Sequence, residues 1–153
     1  MLSITIPSTQ LWDESKEEFR YTKEQTLQLE HSLVSLSKWE SKWQKAFLGN
    51  QPKTTEETID YIRCMTLTKN VDPEVYNYLT NKNIEDIGEY INSPMTATWF
   101  TEDKTAKPNR EVTTSELIYY WMISYNIPFE CQKWHLNRLL TLIRVCGIKN
   151  QPP

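Results

Sequence analysis

Thr26-Leu27-Gln28-Leu29-Glu30-His31-Ser32-Leu33 is the stretch on which the reading of this chain turns. Leu27, Leu29, His31 and Leu33 fall on one side, and Thr26, Gln28, Glu30 and Ser32 on the other. That period of two belongs to a half-buried strand. Directly afterwards the period changes. Leu36, Trp39, Glu40, Trp43 and Phe47 recur at helical spacing from Ser35 onward, with Ser37 and Glu40 placed as a capping box. A strand handing over to an amphipathic helix within a few residues predicts an α+β fold.

Working back toward the N-terminus, Leu2-Ser3-Ile4-Thr5-Ile6 alternates until Pro7 stops it. Gln10-Leu11-Trp12 and Phe19-Arg20-Tyr21-Thr22 flank a polar run, Asp13 to Glu18, as a hairpin flanks its turn. Residues 1–33 thus predict a small antiparallel sheet of three strands or more. Working forward, Thr54 with Glu57 three residues on starts a helix carrying Ile59 and Ile62. Asp72-Pro73 opens a short one, with Asp as cap and Pro at the first helical position. A third begins at Asn81 or Asn83 and carries Ile84, Ile87 and Ile91. Met95 to Phe100 is rich in β-branched and aromatic residues and predicts a strand. A polar stretch near 101–112 predicts a mobile loop. A helix capped by Thr114 or Ser115 and another from Pro128 to about Cys146, ended by Gly147, predict a long αα-hairpin. The expected organisation is one domain over 1–153, with 1–33 rich in strands and 34–153 mainly helical.

Composition narrows the function. The 153 residues carry a net charge of −3, which gives no general basic excess for nucleic acid. Lys133, Arg138, Arg144 and Lys149 do cluster on the last helix and its exit. With only three glycines, a phosphate-cradling loop is not expected. Cys64, Cys131 and Cys146 are odd in number and two lie at apolar helical positions, so free thiols in a reducing cytoplasm are expected. No run approaches the roughly 18 apolar residues of a membrane span, and no signal peptide is legible.

Tests for chemistry lead away from catalysis. Cys131 and His135, four apart, supply two metal ligands at most, and Cys146 falls about 16 Å further along a helix. Neither a metal nor a cofactor is expected. His31 and His135 are the only histidines, and no nucleophile motif accompanies them. Carboxylate pairs such as Glu56-Glu57 lie on polar helix faces. The tryptophans are the remaining signal. Trp39 and Trp43, one turn apart, and Trp121 and Trp134, on the two C-terminal helices, are the candidate partner-binding residues, because tryptophan is enriched where proteins grip one another.

Leu29-Glu30-His31-Ser32-Leu33, the run Ser35 to Trp43, Tyr61 to Leu67, Met95 to Phe100, Ile118 to Met122, and Pro128 to Ile143 together resemble small proteins of tailed bacteriophages and prophages of Gram-positive bacteria. The resemblance covers nearly the whole chain, and within that group it is to the tail assembly chaperones of long-tailed phages. It implies a non-enzymatic protein of the host bacterial cytoplasm. Such a protein binds the helical tape-measure protein, or another phage tail protein, keeps it soluble while the tail assembles, and then leaves. The alternative it implies is a structural tail or neck component of the virion. A homo-oligomer would suit a client hundreds of residues long, and a host defence sensor is a further conceivable partner. No nucleic-acid or membrane partner is expected.

Overall fold

The computed structural model describes residues 1–101 and 111–151. It is an α+β protein in which four short strands are followed by helices. Strand β1 (Leu2–Ile6) pairs antiparallel with β4 (Gln25–Leu29), setting Ile4 opposite Leu27. Strand β2 (Gln10–Asp13) pairs with β3 (Glu18–Tyr21). These are two successive ladders of one long hairpin, rather than one sheet of three or more strands, because the chain breaks register at Pro7 to Thr9. There the Thr22 side chain takes the Thr9 N–H (2.7 Å) and the Ser8 hydroxyl donates to the Thr22 carbonyl (2.6 Å). The free edge of β4 is covered in part by the segment after Met65: Glu30 N–H donates to Met65 O and Leu67 N–H to Gln28 O.

The predicted alternation holds through Leu29, which is buried with Leu27. It does not continue to Leu33, which is already the first residue of helix α1 (Leu33–Trp43). The cap is Ser32, not Ser37. Ser32 and Ser35 take each other's backbone N–H, a box closed five residues earlier than the sequence suggests. This frees Glu40, whose two carboxylate oxygens instead accept Phe47 N–H (3.0 Å) and Ser115 N–H (2.8 Å).

Helix α2 (Thr55–Met65) is capped by Thr54 as expected, and Asp72 with Pro73 opens a 3₁₀ helix, Pro73–Tyr78. Helix α3 (Asn81–Asn92) starts one residue after its true cap, Thr80. Its Asn83 side chain donates to Thr5 O and ties the helix to β1 (3.1 Å). The strand predicted at Met95–Phe100 is absent. Met95 sits at φ 52° and the Thr96 hydroxyl takes the Thr98 N–H, so these amides serve a local turn instead of a ladder. Most of the loop expected near 101–112 lies outside the described residues.

Helix α4 (Ser115–Ser124) follows its Thr114 cap. The second arm of the predicted αα-hairpin is interrupted. A 3₁₀ helix, Phe129–Lys133, gives way to extended backbone at Trp134 and His135 before α5 (Leu136–Lys149) begins. Gly147 therefore lies inside α5 rather than at its end.

Two cores result. Ile4, Ile6, Leu27 and Leu29 from the strands pack with Trp39, Tyr61, Met65 and Ile87. Leu33 and Leu36 pack with Ile118, Met122, Leu136, Leu139 and Ile143. Helix α1 feeds both, Trp39 into the first and Leu36 into the second. Replacing Leu36 by Ala should therefore destabilise the protein by about 2–5 kcal/mol, the usual range for emptying a sealed leucine site, read as a lowered urea midpoint. Ser32→Ala, which removes the cap of α1, should cost about 1 kcal/mol in the same measurement.

Candidate functional site

The four tryptophans singled out from the sequence do not come together. Trp39 belongs to the interior: it is fully buried and its indole N–H donates to Glu57 O (2.8 Å). Its removal from the surface corrects its reading as a partner contact. Trp43 is half-buried beside it, with ring centroids 6.3 Å apart, and donates to Asp60 Oδ2 (2.9 Å). Burial pushes the Asp60 carboxyl up, but Lys42, Trp43 and Arg63 together outweigh it and hold it below the ordinary carboxylate range. Trp121 packs against the second core. Trp134 is half-buried at the surface, roofed by the Arg138 guanidinium 4.1 Å above its ring.

The histidines, in contrast, meet. The loop before α1 and the extended residues before α5 form an antiparallel bridge, Ser32 with His135, and Leu136 N–H donates to His31 O (2.7 Å). This brings the two imidazoles to 5.2 Å, edge to face. His135 Nδ1 accepts the Asn137 N–H (3.1 Å) as the cap of α5, so its proton is on Nε2, which donates to Tyr90 O (2.7 Å). Asn137 donates to Ile91 O and Ser93 O. The start of α5 thus satisfies carbonyls that the end of α3 leaves open. His31 Nδ1 lies 2.6 Å from the Tyr61 hydroxyl, which lies 3.0 Å from Ser35 Oγ. Ser35 Oγ donates to Ser32 O (2.8 Å), which leaves Tyr61 to donate to Ser35 and His31 Nδ1–H to donate to Tyr61.

A serine, a tyrosine and a histidine in a row invite a catalytic reading, but all three are sealed from solvent and bonded to one another. Burial first, then His135, push the His31 pKa down to about 4, and burial raises that of Tyr61. This is a neutral internal network. The interruption at Trp134-His135 also ends the helical pairing on which Cys131 and His135 were matched as metal ligands.

The surface carries apolar groups that the sequence reading passed over. On α4, Tyr120 and Ile123 are more than half exposed, and so is Phe129 of the following 3₁₀ helix, whose ring meets that of Tyr119 at 6.3 Å. Ile118 and Met122 on the opposite side of α4 are fully buried. The signal was present: Leu117 to Ile123 is apolar or aromatic at every position, leaving this helix no polar face. A second exposed group, Trp12, Phe19 and Tyr21, stands on the β2–β3 hairpin, with Trp12 and Phe19 directly paired across the strands at 5.0 Å. No helix among the described residues is long and apolar enough to cross a membrane.

Compared with protein-family models, with curated proteins and with solved structures, the chain gives no match.

His31 gives a signed pH prediction. Its pKa in the folded state is depressed from 6.5 to about 4, so the unfolded chain binds more protons between those values and stability falls as pH drops through that window. The full effect is on the order of 3 kcal/mol. Urea unfolding of the native chain and of His31→Asn, each at pH 7.5 and pH 4.5, should show the native chain losing more stability than the variant. Tyr61→Phe should cost about 1–3 kcal/mol at neutral pH, since it leaves the buried His31 Nδ1–H without its acceptor, while Ser35 keeps its bonds to Ser32.

Proposed function

We propose that this chain is a non-catalytic tail assembly chaperone of a long-tailed bacteriophage. In this reading it holds an amphipathic helix of the tape-measure protein in the host bacterial cytoplasm. The observation that carries the reading is the outer face of α4, where Tyr120 and Ile123 lie exposed one turn apart, with Phe129, also exposed, against the neighbouring Tyr119. A helix with apolar residues all round is ordinarily covered on every side. Here the inner side is covered by the protein's own core and the outer side is open. Exposed Glu116 and Glu130 border it. An apolar strip with a charged border is the chemistry that takes up the apolar stripe of a foreign helix. The sequence resemblance to tail assembly chaperones supplies the identity of that helix.

The patch replaces the four tryptophans expected from the sequence to bind a partner. Trp39 and Trp43 pack with the first core and Trp121 and Trp134 with the second, so they share no groove.

Co-expression with a tape-measure chain from the same phage genome, scored by soluble client recovered, tests the proposal. The native chain should raise soluble client several-fold and co-purify with it. Combined Tyr120→Ala, Ile123→Ala and Phe129→Ala should abolish this while each surface change alters stability by only about 0.5 kcal/mol. A client that stays insoluble beside the native chain, or a triple variant that works as well, removes the reading. Recovery of the protein in purified virions points instead to a structural tail or neck component.

A further inference from the structure

The β2–β3 hairpin is held mainly by itself. Among the described residues its strands pair with each other and with no further strand, and an isolated two-stranded hairpin is at best marginally stable in water. A cavity of about 300 Å³ separates its base from the 3₁₀ helix at Pro73–Tyr78, and the one ion pair across that gap among the described residues, Arg20 with Glu74, is long at 3.9 Å. The hairpin nevertheless presents the Trp12–Phe19 pair to solvent. Its turn, Asp13 to Glu18, carries four carboxylates and one ammonium. None of these six residues is in an ion pair among the described residues.

The complement of this tip lies elsewhere on the same chain. Helix α5, Leu136–Lys149, contains Arg138, Arg144 and Lys149 and no acidic residue. These three cations are likewise without an ion pair among the described residues. Arg138, Leu142, Val145 and Lys149 follow helical spacing and share one face, with the two cations about 16 Å apart along the axis. Beside that face runs an open groove of about 570 Å³ lined by Met95, Trp134, Leu142 and Val145. The Arg138 guanidinium sits 4.1 Å over the Trp134 ring and has no carboxylate partner among the described residues.

We propose that the hairpin of one copy docks in the α5 groove of a second copy, with Trp12 and Phe19 against the apolar lining and the acidic turn against Arg138 and Lys149. Both halves of the contact are on every chain, so the association is between identical subunits through two different surfaces. Such a contact closes into a ring or extends into a chain of subunits. It is separate from the α4 patch and does not depend on the client's identity.

Sedimentation velocity on the purified chain from about 1 to 300 μM is the test. The native chain should move from 18.2 kDa toward multiples of that mass as concentration rises, and less so at 0.5 M than at 0.05 M NaCl. Trp12→Ala combined with Glu14→Lys and Glu18→Lys gives a hairpin variant. Asp13 is kept because its side chain holds the Ser15 N–H of the turn. Arg138→Glu with Lys149→Glu gives a groove variant. Each alone should self-associate at least about tenfold more weakly, with an unchanged far-ultraviolet circular dichroism spectrum. Mixing the two should restore a one-to-one complex, since one retains the groove and the other the hairpin. A native chain that stays at 18.2 kDa throughout, variants that associate as the native chain does, or a mixture that stays monomeric each overturns the proposal. So does self-association of the native chain that is unaffected by salt.

Discussion

The backbone bridge between Ser32 and His135 is the contact on which the rest of the structure depends. It joins the turn that ends the β-rich part to the turn that starts the last helix, more than a hundred residues later in sequence. On one side of it lies the core beneath the β1–β4 ladder, and on the other the core between α1, α4 and α5. The side chains at the bridge are polar and buried, and each finds a partner within the protein, as a low-dielectric interior requires. His135 performs two tasks with its two nitrogens. One caps its own helix and the other terminates α3. His31 carries the connection inward through Tyr61 to the cap of α1. Three helix ends are therefore fixed by one set of hydrogen bonds.

This arrangement explains why the two histidines are buried without being reactive. A general base needs a substrate within reach and a pKa near the working pH. His31 has its ring against Tyr61 and His135, and burial keeps it neutral at physiological pH. The groups that face solvent are of another kind. Tyr120, Ile123 and Phe129 stand exposed on and just after α4, and Trp12 with Phe19 on the β2–β3 hairpin. The exposed apolar groups lie at the periphery, and the buried polar side chains hold the frame together.

The sequence disclosed the elements whose signals are local. Alternation located β1 and β4, and the capping residues Thr54, Asp72 and Thr114 marked three helix starts. It misled where a distant partner decided the outcome. Ser37 and Glu40 have the spacing of a capping box, but Glu40 is drawn to amides at Phe47 and Ser115. The helix expected from Pro128 onward is broken because His135 pairs with Ser32, a contact no window along the chain can reveal. The candidate site suffered from the same limit. Tryptophan content points equally to core and to interface, and only the packed structure separates Trp39, sealed inside, from Trp12, standing on an exposed hairpin.

The placement of Glu40 constrains how this fold can vary. Its carboxylate grips the segment leaving α1 with one oxygen and the first turn of α4 with the other. Two stretches far apart in the chain are thereby anchored to a single point. An insertion that displaces Phe47 costs α4 its starting contact as well, and a shift in α4 is felt at the exit of α1. These two segments are thus tied to one another within the chain, whereas the β2–β3 turn has no comparable tether among the described residues.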